Sequence, residues 1–288
     1  MRANKQIKKA SEEIRKAMQL NLANISASII LRVMKNYKKL PNAQKRNAIK
    51  DIKASGLNVY KSDLLAAMAV ASFDALSQAR NEVPKAKKVK LMENEERLLF
   101  GEFEKLPPDI RKRIKSSNEL LIGTQIADLE KAIFFQFLSS LASEKSEKEI
   151  EFDMIEKSSS YIEGNAIKAG AAVTAANIVN EARNAFFFNK ETLEQIEAFQ
   201  FMNGDPVSPI CNDLAGTIFR KDDPDAFRYT PPLHYNCKSW IRPIIVLKKG
   251  QEIQKLEPST KELKDSIQFS DINEASSDAC QNRCCIHL

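Results

Sequence analysis

Thiol, imidazole and carboxylate side chains gather in one C-terminal stretch. Cys211 and Cys237 bracket it, His234 stands three residues before the second thiol, and Asp205 and Asp213 flank the first. Such groups support several chemistries. A thiolate with an imidazole base and a carboxylate orienter can act as a nucleophile, here Cys237 or Cys211 with His234 and Asp213. His234 with Asn236 can form part of a small metal-dependent nuclease centre of the His-Asn-His kind. Thiolates and imidazole can instead close a structural zinc site. A last outcome needs no reaction: the cysteines are small buried hydrophobes, and His234 bonds a backbone carbonyl.

The chain of 288 residues holds just two histidines, His234 and the penultimate His287. A histidine-rich metal nuclease or phosphoesterase centre is therefore short of ligands and bases. The sequence contains no glycine-rich phosphate loop, no G-x-S-x-G and no H-E-x-x-H. The expectation is a structural protein and not an enzyme. A toxin-like or nuclease activity on the Cys/His module is the alternative. All five cysteines lie after residue 210, and Cys280, Cys284 and Cys285 crowd the end of the sequence. An odd count, with no apolar leader at the start, argues against a secreted disulfide framework.

Helices must position most of these groups. With 8 glycines and 11 prolines, obligatory turns are few and long helices are favoured. Ile14, Met18, Leu22, Ile25, Ile29 and Val33 recur at steps of three or four and predict an amphipathic helix over 14–34. Ser62 reads as the N-cap of a second helix with a face of Leu65, Met68, Ala69, Ser72, Phe73 and Leu76, ended by Pro84. Ser116-x-x-Glu119 matches a capping box ahead of Ile122, Ile126, Leu129, Ile133, Phe137 and Leu141. The charged run Ser143 to Glu151 reads as a connection. A long helix is expected from about Ser159 to Phe187, with Gly164, Gly170, Ala171, Ala172, Ala175 and Ala176 permitting close packing.

The character changes near Glu191. Turn formers concentrate between Phe199 and Leu247, around three strand-like runs: Ile196 to Met202, Thr217 to Phe219 and Trp240 to Leu247. The expected fold class is mainly α, an elongated helical body followed by a small loop-rich α+β module. Four segments follow: a basic helical region over 1–106, a long-helix region over 107–190, the module over 191–250 and a cysteine-containing tail over 251–288. No run of 18 apolar residues occurs, so no membrane partner is expected.

Charge is uneven. Residues 1–50 hold 13 Lys and Arg against 2 Asp and Glu, a net of +11, so the remaining residues sum to −5 against the total of +6. A basic end of this kind suits DNA phosphates or an acidic protein surface. Lys35, Lys38, Lys39, Lys45, Arg46 and Lys50 are the candidate contacts, with Lys5, Lys8 and Lys9 further forward. The competing reading is a solvated helix face.

The stretch from Asp205 to Ser239 carries a resemblance. Phe199 and Phe201 stand in a strand, Asp205 follows, then Cys211, Leu214-x-Gly216 and Phe219, and finally Pro231-Pro232-x-His234-x-Asn236-Cys237. This order and spacing resembles the C-terminal motif of phage Mu F-like minor head proteins. Asn180-Glu181-Ala182-Arg183-Asn184 stands where that family has a polar Glu/Arg/Asn signature on the preceding helix. The match covers roughly residues 175–247. Ser208 and Ser239 stand where the family usually has the first and last of four cysteines.

The resemblance implies a minor capsid protein of head morphogenesis, in the virion and, during assembly, in the host bacterial cytoplasm. Its implied partners are the portal protein, capsid or scaffold proteins and packaged double-stranded DNA. An internal DNA-binding head protein is the alternative within that setting. Zinc is the cofactor in view, with Cys211, His234 and Cys237 as ligands and Asp205, Asp213 or Cys284 as the fourth. Gly216 is expected at positive φ, Pro231 and Pro232 fix the approach to His234, and Asn236 bonds the loop backbone.

Overall fold

The computed structural model describes residues 2–49, 57–83, 108–204, 208–223, 226, 230–233, 237–248 and 250–253. The fold is mainly α, with a small sheet and loops toward the C-terminus. Helices α1 (Arg2–Lys39), α2 (Leu57–Glu82), α3 (Pro108–Ala142), α4 (Glu147–Ile162) and α5 (Asn165–Phe187) come first, with a 3-10 helix over Asn42–Ile49 after α1. The short α6 (Lys190–Leu193), β1 (Ala198–Met202), α7 (Pro209–Asp213), β2 (Ile218–Arg220) and β3 (Trp240–Ile244) follow.

Four boundaries differ from the sequence reading. Ser62 and Ser116 lie inside α2 and α3 and cap neither. A serine three residues before a glutamate occurs often inside helices, so the pattern alone does not place a terminus. α3 opens on Pro108, whose fixed φ and missing N–H suit a first turn. The charged run after Ser143 is mostly helix: α4 starts after Ser146, whose N–H and hydroxyl both donate to the Glu149 carboxylate at 2.8 and 2.6 Å. The long helix expected from Ser159 is two helices. Its break falls at Glu163-Gly164, where the Gly164 amide bonds Tyr161 O and a Cβ would stand 3.0 Å from that same oxygen.

By their contacts the residues fall into two compact units, one of Ser11–Ala69 with Phe100–Ala172, the other of Met1–Ala10, Val70–Leu99 and Val173–Leu288. Among its described residues the first has helices as its elements. Ile14, Met18, Leu22, Ile25, Ile29 and Val33 of α1 are all buried, as are Ile126, Leu129, Ile133 and Phe137 of α3 and Ile150 and Met154 of α4. Tyr37 meets Phe137 edge-on with centroids 6.1 Å apart. On α2 the buried positions include Leu64, Met68, Ala71, Ser72 and Ala75, while Leu65 and Phe73 are only half-buried. Among the described helices α1 alone has the length and mean hydropathy of a membrane span, and half of that stretch is buried inside the protein.

The second unit contains the sheet, ordered β2-β1-β3 and antiparallel throughout. β1 is central, with Phe199 opposite Phe219 on one side and Phe201 opposite Ile241 on the other. Pro243 is tolerated because β3 is an edge strand. The rings of Phe187, Phe199 and Phe219 stack in series at 6.2 and 5.9 Å and fill the space beside α5. Such ring pairs contribute about 0.5–1.5 kcal/mol each beyond their buried area.

Candidate functional site

The motif residues lie in the sheet-bearing unit, between β1 and β3. Chain leaving β1 passes Gly204, where a Cβ would stand 2.2 Å from the Lys238 carbonyl oxygen, so only glycine allows the two backbones to approach. Ser208 then caps α7 at φ −79° and ψ 157°, its side chain accepting the Cys211 N–H at 3.2 Å, with Pro209 beginning the helix. Leu214-x-Gly216 ends α7. Gly216 has φ +79°, as expected, and donates its N–H to Phe201 O at 3.0 Å, which returns the chain to the sheet. The Pro231–Pro232 peptide is cis.

Cys211 and Cys237 are brought together. Their Sγ atoms are 3.7 Å apart, both residues are buried, and no disulfide joins them. The Cys237 thiol is held well above its ordinary range, first by its hydrogen bond with Cys211, then by burial and by the neighbouring thiolate's charge. Backbone hydrogen bonds with Leu233 and Ser239 act in the opposite direction.

Ser208 and Ser239 both have backbone partners. Ser208 caps α7, and the buried Ser239 accepts the Gly204 N–H on its hydroxyl at 3.4 Å. Asp213 is exposed on α7. Among the described residues no three His, Cys, Asp or Glu side chains group as metal ligands. Asp205, His234, Asn236 and Cys284 lie outside the described residues.

Sequence reasoning did not foresee what α5 does to this region. Asn180, Arg183 and Asn184 share one helix face at spacings of three and four. Asn180 Nδ2 donates to Ser239 O at 2.8 Å, Arg183 to Ile241 O at 3.3 Å, and Asn184 Nδ2 to Pro231 O at 2.7 Å. Three donors on one helix thus hold three backbone carbonyls around Cys237. Arg183 itself is 1% exposed, pairs with both Glu82 oxygens at 2.9 Å and lies over the Phe187 ring at 5.2 Å. A bidentate pair removed this far from water contributes through its geometry, and loss of either partner is costly. The Arg183 Nε and the Asn177 and Asn203 side-chain oxygens are buried without a partner.

The basic candidates divide. Lys35, Lys39 and Arg46 are exposed, as are Lys5 and Lys8. Lys38 pairs with Glu147 at 2.7 Å, which raises its pKa through that hydrogen bond and charge. Lys9 pairs with Asp74 at 2.7 Å, and Lys45 lies 4.2 Å over the Tyr37 ring. Lys50 lies outside the described residues. Exposed pairs of this kind contribute little to stability and are screened by salt.

Compared with protein-family models, with curated proteins and with solved structures, the chain matches none.

Proposed function

We propose that the chain is a phage minor capsid protein of head morphogenesis, associating with the portal vertex or the capsid interior during assembly and DNA packaging or ejection. The observation that carries this reading is the ordered block of Cys211, Leu214-x-Gly216 and Pro231-Pro232-x-His234-x-Asn236-Cys237 behind the polar α5 signature. The contacts support a structural use of that block. Asn180, Arg183 and Asn184 bond backbone carbonyls around it, and both thiols are buried against each other.

Docking falls to the helices. Phe135 of α3 and Phe152 of α4 are 66% and 64% exposed, apolar surface that a partner would cover. The test is capture of the co-expressed portal protein from the same phage by the full-length chain. A fragment starting at residue 191 is unsuitable, since Ile7, Ala79 and Val179 belong to the sheet-bearing unit and are buried. The expected result is stoichiometric capture by the native chain and loss of capture, with unchanged melting, in Phe135→Glu/Phe152→Glu. Undiminished capture by the double variant overturns the docking face, and no capture by the native chain overturns the portal partner.

Zinc enters this reading in part. Zn–S bonds of about 2.3 Å at tetrahedral angles place two thiolates about 3.8 Å apart, and Cys211 and Cys237 stand at 3.7 Å. They supply two of four ligands, and among the described residues none supplies a third. Bound, the ion would tie α7 to the chain entering β3. Elemental analysis finding well under one zinc per chain removes the metal and leaves the assembly role intact.

A second reading is favoured by the exposed Lys35, Lys39 and Arg46: contact with packaged double-stranded DNA. Phosphate contacts release counterions, so retention on DNA must fall steeply with salt. Absence of retention at low salt removes this reading.

A further inference from the structure

We infer that Cys211 and Cys237 are the two halves of a reversible intramolecular disulfide, a redox-operated staple between α7 and the entry to β3. The inference stands apart from the head-assembly reading and does not depend on it.

The geometry carries it. The two sulfurs lie 3.7 Å apart, both buried, on residues 26 positions apart in sequence. A disulfide requires an S–S distance of about 2.05 Å and modest side-chain rotation from such a start. Ser208 and Ser239, the residues nearest in the motif order, carry hydroxyls and offer no competing sulfur. Cys211 is fixed by the capped turn of α7, and Cys237 by Asn180 and Arg183, which hold the carbonyls of Ser239 and Ile241 just beyond it. The two ends are thus already in place, and closing the bond costs little further ordering. Beside metal ligation, the chemistry open to two thiols this close is oxidation to a disulfide.

The oxidant is a small-molecule disulfide of the oxidised-glutathione class. One protein thiolate attacks it, giving a mixed disulfide and releasing one small thiol. The second protein thiolate then displaces the other small thiol and forms the Sγ–Sγ bond. Two protein thiols lose two protons and two electrons, and the small disulfide becomes two thiols. Burial of both sulfurs means that the first exchange waits on local opening, so the staple closes slowly and is shielded once closed. Closure bounds a loop containing β2 and resists unfolding of the unit that contains it.

The test uses the full-length chain with Cys280→Ser, Cys284→Ser and Cys285→Ser, treated with chelator and incubated with oxidised glutathione. Thiols are counted after denaturation, and cross-links are mapped by peptide mass spectrometry. The expected result is loss of both thiols, one cross-linked peptide pair joining residues 211 and 237, and reversal by a dithiol reductant. The oxidised protein is expected to melt about 5–10 °C higher than the reduced protein, a shift missing when Cys237→Ala is added. Two thiols persisting after prolonged oxidation overturn the inference. Glutathione adducts without the cross-link also overturn it, and so does one zinc per chain bound to both sulfurs in protein never exposed to chelator.

Discussion

Within each of the two units a different force dominates. In the unit of Ser11–Ala69 and Phe100–Ala172, apolar stripes are buried: Ile14 to Val33 on α1, Ile126 to Phe137 on α3, and Ile150 with Met154 on α4. Such packing is non-directional and tolerates exchange among hydrophobes of similar volume. The sheet-bearing unit has an aromatic core, but three strands of five, three and five residues bury little by themselves. There α5 adds directional donors, from Asn180, Arg183 and Asn184 to the carbonyls of Ser239, Ile241 and Pro231. A loop-rich segment with few ladder partners has unmet carbonyls, and a polar helix face satisfies them. The contrast gives the polar face of α5 a structural use.

Mutations can break or sharpen that contrast. Phe137→Ala opens a cavity in the helical unit and is expected to cost about 3–5 kcal/mol in denaturant unfolding. Arg183→Met removes the cation from the Glu82 carboxylate, leaving it only a 3.5 Å hydrogen bond from Gln78, and is expected to cost about 3 kcal/mol, at the low end for a broken buried pair because Glu82 keeps some exposure. Adding Glu82→Leu should recover most of that loss, since two apolar groups leave no stranded charge. If the single Arg183 variant is as stable as the native chain, the directional account of the sheet-bearing unit is wrong. Asn184→Ala strands the Pro231 carbonyl and should cost about 1–2 kcal/mol. Ser208→Ala removes the cap of a five-residue helix, with an expected loss of about 1 kcal/mol. A value well above that for Ser208 would mean that its hydroxyl does more than cap.

The same contrast decides what could be read from the residues. Every member of the α1 stripe from Ile14 to Val33 is buried, and so are Ile126, Leu129, Ile133 and Phe137 of α3. Apolar periodicity reports burial directly, so these faces were legible. The three strand runs and the positive φ of Gly216 were legible too, because turn chemistry is local. α4 was not: its buried face is Ile150, Met154, Ser158 and Ile162, one residue per turn among charges, and its first turn looks like a loop. The α5 clamp was recognised only as a polar signature. Its acceptors are backbone carbonyls, which every residue has, so no complementary side chain marks them. Gly204 was missed for a similar reason, since the Lys238 backbone that excludes a side chain there is 34 residues away in sequence. The sequence reading divides the chain into consecutive segments, whereas the contacts gather separated stretches into each unit.

The central claim is that this chain is a component of an assembled phage head. Its most direct test is quantitative mass spectrometry of particles purified by density gradient from a host carrying the gene with its neighbours. The account predicts peptides of this chain in DNA-filled heads at a fixed, small number of copies relative to the portal. Peptides confined to the soluble lysate, with none in the particles, would contradict it.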